Sequence, residues 1–357
     1  MRKIGVLTGG GDCPGLNAAI RAVVKTAIRK HGAEVVGFLD GYEGLVENRS
    51  RALRDADVSN ILLLGGTILG TSNRANPFDY IGPDGKKTDR SKDVLANVER
   101  HGLDALVVIG GDGTFASARK FSAMGLAIAG VPKTIDNDLA GTDPSIGFNT
   151  ALSVATDAVD RLHSTAISHH RVMVLELMGR YAGWLTIRAG IAGGGDVLLI
   201  PEIPFDMASV CDAVRARAKR GKRFSLVVVA EGAKEKGGRM VIQQIVANSP
   251  DPVRLGGIGP IVAKALEAQA GVEARATVLG HVQRGGSPTA FDRWLATNLG
   301  TLAVDLLAEG KRGFLAAHHE GRFRPYPLSD IPEGPRLVDP AGTEVASARA
   351  VGTSFGD

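Results

Sequence analysis

Short β-branched and apolar runs alternate along the chain with longer helical stretches. The apolar runs predict strands over 3–8, 34–39, 105–110, 126–132, 171–177, 196–201 and 224–232, with a further one over 275–280. Helices are predicted between them, over 15–31, 90–101, 113–123, 147–168, 207–220, 258–270 and 289–309. Continuously apolar strands alternating with helices point to parallel sheets covered on both faces, an α/β architecture. The turn-rich segment DNDLAGTDPSIGFN, 136–149, marks a boundary between two such units, expected over 1–139 and 140–312. A cleft between the carboxyl ends of their strands is where ligands bind in this class. After residue 312, PYP, IPEGP and DPAGT predict an irregular tail over 313–357.

Composition narrows the class more than the function. With 44% hydrophobic and 22% charged residues in 357, the chain suits a soluble protein of two domains. No apolar stretch approaches the ~18 residues of a membrane span. The start, MRKIGVLTGGGD, reads as a strand entering a loop rather than as a signal peptide. Cys13 and Cys211 are the only cysteines, so no disulfide framework is expected and the cytoplasm is the default location. A net charge of +4 without a basic stripe and interleaved aromatics speaks against nucleic acid. RARAKRGKR, 215–223, is read as the solvated end of a helix, with a phosphate-binding effector patch as the other reading. The 47 glycines direct attention to loops.

Glycine and charge gather where the strands end. LTGGGDCPGLNAAI, 7–20, sets Gly9, Gly10 and Gly11 ahead of a helix, where bare backbone approaches phosphate. It is neither the dinucleotide G-x-G-x-x-G, since Pro14 holds the last position, nor a Walker A loop, since no Gly-Lys-Ser/Thr follows. A tight turn without ligand is the alternative. In GGDGT, 110–114, Asp112 sits among glycines. That acid suits a magnesium-bridged polyphosphate, in which the carboxylate meets the metal and backbone amides meet the phosphates. A helix cap is the alternative there. In VPKTIDNDLAGTD, 131–143, Asp136 and Asp138 flank Asn137. Extended backbone aims both carboxylates one way, one as a general base and one beside the metal, with an Asx-rich turn as the alternative.

LTGGGDCPGLNAAIR, GGDGT, PKTIDND, ELMGRYAGWLT and ATVLGHVQRGGSPTAFDR, in that order, resemble the 6-phosphofructokinases from about residue 2 to about residue 310. GGDGT alone also occurs in NAD kinases and lipid kinases, but these leave GHVQRGG and MGRYAG unused. The resemblance implies two Rossmann-like domains, Mg²⁺, and transfer of a phosphoryl group from ATP to the 1-hydroxyl of fructose 6-phosphate. It implies Asp136 as the base and Arg180 as the residue that touches the sugar and neutralises charge near the transferred group. Asp112 matches the magnesium-contacting acid, and Gly10, Gly11, Gly111, Gly113 and Thr114 match the donor cradle. Around the acceptor the matching residues are Thr134, Ile135, Asp136, Met178, Gly179, Arg180, Glu231, Val282 and Gln283. Arg171, Arg275, His281 and Arg284 match the sugar-phosphate set. In bacterial relatives the arginines at the first two of these positions reach a neighbouring subunit's site, which implies a homo-oligomer.

Donor choice rests on two positions. Pyrophosphate-using relatives tend to carry an acid where Gly113 stands and a lysine where Lys133 stands. Glycine with lysine resembles the mixed-substrate bacterial branch (group A) and implies ATP, with a pyrophosphate-dependent phosphotransferase as the alternative. A non-catalytic sugar-phosphate sensor is the third possibility, opposed by intact Asp112, Asp136 and Arg180. GTSNRANPF, 70–78, is longer than the usual stretch, so Arg74 is a provisional ATP contact. His163 stands where regulated bacterial members have an effector-binding arginine, which argues against ADP or phosphoenolpyruvate control despite Arg21, Lys25 and the 215–223 cluster.

Overall fold

A computed structural model describes residues 1–73, 75–82, 84–245 and 253–357. Every predicted strand and helix is present, with ends displaced by at most two residues. The larger sheet runs in the order Arg322–Pro327, Phe314–His319, Ile128–Thr134, Ala105–Gly110, Lys3–Thr8, Glu34–Phe38 and Ser50–Leu53. Its inner strands are parallel and its two outermost strands are antiparallel to their neighbours. Ile146–Gly147 adds a short parallel pairing at the end of Ile128–Thr134. The smaller sheet is parallel throughout, in the order Val197–Leu199, Ser225–Ala230, Val172–Leu177 and Ala274–Val278. Strands such as Ala105–Gly110 and Ser225–Ala230 are buried along their whole length, as helices on both faces require. Among the described residues no helix is long and apolar enough to cross a membrane.

Two expectations are corrected. Residues 313–357 are not irregular: Phe314–His319 pairs parallel to Ile128–Thr134, and Arg322–Pro327 closes the sheet edge beside it. Pro325 and Pro327 read as turn residues, yet an outermost strand tolerates proline because its outer N–H groups need no partner. Helix Thr343–Ala350 follows, and Ser354 bridges to Val197 at the edge of the smaller sheet. Helix Ala290–Ala308, expected to belong to the second unit, packs along Leu16–His31 in the core of the first. Leu295, Leu299 and Ala303 form a stripe at four-residue spacing and are fully buried together with Ile20, Val23 and Val24. Helix Trp184–Ala192 is a further addition that the apolar pattern did not separate from its surroundings.

Candidate active site

The carboxyl ends of three strands in the larger sheet carry the three glycine- and acid-bearing loops. They enclose a cleft of about 390 Å³ whose walls include Gly10, Gly11, Gly111, Asp112, Gly113 and Lys133. Thr114 draws two of the loops together. A Cβ on Gly9 would come within 2.8 Å of its side chain, and one on Gly110 within 2.5 Å. Gly113 is different: a Cβ there meets nothing within 4 Å, and its backbone needs no left-handed conformation. It lies in the first turn of helix Asp112–Ala123, where glycine costs about 0.5–1 kcal/mol relative to alanine. Nothing in the fold asks for a glycine at 113, and the space it leaves belongs to the cleft.

Lys133 lines the cleft and at the same time props the glycine loop. It is 3% exposed, and its Nζ donates to the carbonyls of Gly9, at 2.8 Å, and Gly11. Burial pushes its ammonium down to about 8. The preceding insertion braces the same loop: Gly10 N–H donates to Ser72 O at 3.2 Å, and Thr71 Oγ1 donates to Gly10 O at 2.6 Å. Arg74, in that insertion, lies outside the described residues.

Asp136 and Asp138 follow Ile128–Thr134 on a sharply turned segment. Asn137 between them adopts a left-handed φ of 52°, which asparagine tolerates. The Asn137 side chain accepts from Ser145 N at 3.0 Å, fixing the turn. Asp136 N–H and the Asp138 carboxylate both use Thr134 Oγ1, at 3.2 and 3.1 Å. Ile135 is buried behind them. The Oδ1 atom of Asp136 is sealed from solvent and has no hydrogen-bond partner. Burial, and then the neighbouring Asp138, raise its carboxyl well above the ordinary range. Asp138 is raised as well, by burial and then by Asp112. The orphaned, buried Asp136 oxygen beside Asp138 is an atom that a cation would satisfy, but among the described residues no three His, Cys, Asp or Glu side chains gather as a metal site, so phosphate oxygens would have to supply the remaining ligands.

The smaller sheet contributes from its own strand ends. Gly232 carries no side chain because a Cβ would stand 1.8 Å from Arg180 O, so the Met178–Arg180 and Glu231–Gly232 turns touch backbone to backbone. Met178, Glu231 and His281 line a pocket of about 260 Å³. Burial first, and then Glu176, push the Glu231 carboxyl up to about 7. Arg180 donates to Val253 O at 2.8 Å and lies over the Tyr181 ring at 5.2 Å. Arg284 reaches across to the first unit, where its Nη1 donates to Asp12 O at 3.0 Å beside Gly11.

Two sequence-assigned acceptor residues are placed otherwise. Val282 is 66% exposed, whereas Gln283 is fully buried and accepts from Met178 N at 2.7 Å. Gln283 therefore holds the Met178 turn in place. Gln283→Leu leaves that N–H unpaired and should lower unfolding stability by about 1–3 kcal/mol in urea titrations. An unchanged midpoint would remove this role. Arg171 and Arg275 lie at the opposite end of the strands. Arg171 precedes Val172–Leu177 and Met178 follows it, a separation of about 20 Å at ~3.3 Å per residue. Arg171 pairs with Glu273 at 2.8 Å, and Arg275 with Glu267 and Glu273 at 2.8 and 2.7 Å.

Sequence reasoning did not single out Tyr42 or Asn76, which line the larger cleft, or Gln243, which lines the smaller pocket; Asn76 lies in the 70–78 stretch, where attention went to Arg74. In the basic 215–223 cluster, Arg215 pairs with Asp212 and Arg217 with Asp196, at 2.6 and 2.7 Å. His163 meets the Phe224 ring edge-on at 5.1 Å.

Residues 3–307 match the family model described as phosphofructokinase. The chain is 50% identical to the ATP-dependent 6-phosphofructokinase 2 of Clostridium perfringens (strain 13 / Type A), over 100% of this chain and 99% of that one. It is 46% identical to the pyrophosphate–fructose 6-phosphate 1-phosphotransferase of Streptomyces coelicolor, over 99% of this chain and 100% of that one. Among solved structures, the Pichia pastoris phosphofructokinase in the T-state superposes with a TM-score of 0.80 at 35% identity. That match covers 92% of this chain and 37% of the other.

Proposed function

The chain belongs to the phosphofructokinase family, and from that premise we propose that it transfers the γ-phosphoryl group of ATP to the 1-hydroxyl of fructose 6-phosphate, giving fructose 1,6-bisphosphate and ADP. Several ATP-dependent 6-phosphofructokinases match at 46–50% over the full chain, and the pyrophosphate-dependent relative, at 46%, is a lesser match. The observation that carries ATP is the open space at Gly113, which an acid would fill and charge where the family resemblance puts a nucleotide's α-phosphate. Lys133 favours pyrophosphate only if it faces the donor, and its two bonds to loop carbonyls favour a scaffolding part instead.

In this reading the first unit holds the donor and the second the sugar. Gly10, Gly11 and the backbone of 111–114 cradle the phosphates at a helix start that has no side-chain cap. The sugar hydroxyl oxygen bonds to the γ-phosphorus as the bond to the β,γ-bridging oxygen breaks, and the hydroxyl proton passes to Asp136. A carboxylate suffices because the proton leaves late, as the new P–O bond forms. Arg180 and Arg284 oppose the charge near the transferred group, while Met178, Glu231 and His281 surround the sugar. Asp112, with Asp138 near it, would hold Mg²⁺, which when bound neutralises charge on the donor phosphates.

Arg171 and Arg275 stand too far from their own chain's pocket to serve it. They complete a neighbouring subunit's phosphate site, so the working form is a homo-oligomer, placed in the cytoplasm. The deciding experiment is initial rates on fructose 6-phosphate with ATP or pyrophosphate, with Mg²⁺ and with excess EDTA. Turnover with ATP that EDTA abolishes is expected. Preference for pyrophosphate reverses the donor assignment, and turnover with neither overturns the activity.

A further inference from the structure

The C-terminal segment runs behind the catalytic turn and fastens it. Arg119 Nη1 donates to Ile331 O at 2.6 Å, which starts the segment against the helix that carries Asp112. Trp184 Nε1 donates to Arg336 O at 2.8 Å, and Val338 N donates to Glu202 at 2.8 Å, which ties it to the second unit. Between these anchors, Arg336 makes three bonds to one short stretch of chain. Its N–H donates to Asp138 O at 2.6 Å, and its Nη2 donates to the carbonyls of Asn137 and Asp143, at 2.7 and 2.9 Å. The guanidinium is itself held over the Trp184 ring at 5.1 Å.

Resting on the assignment of Asp136 as the base, we propose that Arg336 is a positioning residue for phosphoryl transfer, clamping both ends of the 137–143 loop so that Asp136 keeps its aim. A single guanidinium suits this task. Its planar donors point in fixed directions, and the two carbonyls that it bridges belong to a turn with a left-handed residue at its head. Its charge also opposes the rise that burial and Asp112 impose on the Asp138 carboxyl. Arg336 lies beyond the 3–307 family match, so this brace is supplied by sequence outside the shared motifs.

A double-mutant cycle tests it. Arg336→Met should lower kcat by about 10- to 100-fold, because small misplacement of a reacting group costs that much, with KM for both substrates within about threefold of wild type. In an Asp136→Asn background the same change should alter the residual kcat by less than about twofold, since the group being aimed is gone. An equal factor in both backgrounds, or an unchanged kcat in the single variant, would overturn the clamp. If Arg336→Met does not fold, Arg336→Lys, which keeps the charge and loses the fork, is carried through the same cycle. Near-normal turnover of Asp136→Asn alone would instead overturn the assignment of the base, and the clamp with it.

Discussion

Asp136→Asn should lower kcat by about 10³-fold at saturating ATP and fructose 6-phosphate, the loss expected when a positioned general base is removed. The same variant should unfold at an equal or higher temperature than wild type in neutral and alkaline solution. The sign follows from burial, and then Asp138, which raise the Asp136 carboxyl in the folded chain. A folded-state pKa above the unfolded one makes this group's contribution to stability full at pH below the unfolded value and lost as pH rises through the folded value. Near neutrality and above, the buried carboxylate is therefore a burden that asparagine lifts. Wild-type kcat should also fall on acidification at a pH well above the ~3.9 of an ordinary aspartate. Initial rates and thermal melts at matched pH check these outcomes, and turnover within tenfold of wild type would remove the base.

Gly113→Asp should lower kcat/KM for ATP by about 10²- to 10³-fold, while pyrophosphate use is unchanged or rises. Like charges brought together in a binding site cost several kcal/mol, and about 1.4 kcal/mol corresponds to tenfold. The fold should not suffer, because a Cβ at 113 meets nothing within 4 Å and an aspartate in a first helical turn is electrostatically favoured. A parallel Gly113→Ala variant separates charge from bulk: it should retain most ATP activity. Steady-state kinetics with both donors decide the matter, and undiminished ATP kinetics in Gly113→Asp would defeat this account of donor choice.

The central strands were legible because continuous apolar runs such as 105–110 and 225–230, between helical stretches, suit strands buried on both faces. Asp112 and Asp136 could be proposed from sequence because acids just past strand ends, Asp112 among glycines and Asp136 in an acid-rich turn, are candidates for chemistry. Neither rule reaches Gln283, whose part depends on a bond to Met178, a residue 105 positions away in the chain. Nor does either reach Arg336, which sits in a proline-rich stretch and donates to the Asn137 carbonyl between Asp136 and Asp138. Phe314–His319 was invisible for a different reason. Its Ala and His residues carry little strand signal, and it is the waiting edge of Ile128–Thr134 that makes it a strand.

Helix Ala290–Ala308 and strand Phe314–His319 also set the order in which the molecule can assemble. On the ribosome, Lys3–Thr8, Ala105–Gly110 and Ile128–Thr134 emerge long before the helix that covers Leu16–His31 and the strand that flanks their sheet. The four strands of the smaller sheet, between 172 and 278, are all available earlier. Both units nevertheless wait for the end of the chain, because Val338, Val345, Ala348 and Phe355 are buried in the core under the smaller sheet. A fragment ending at 139 would lack helix Ala290–Ala308 altogether, so the first unit is a product of the whole chain's folding and not a module that could be lifted out.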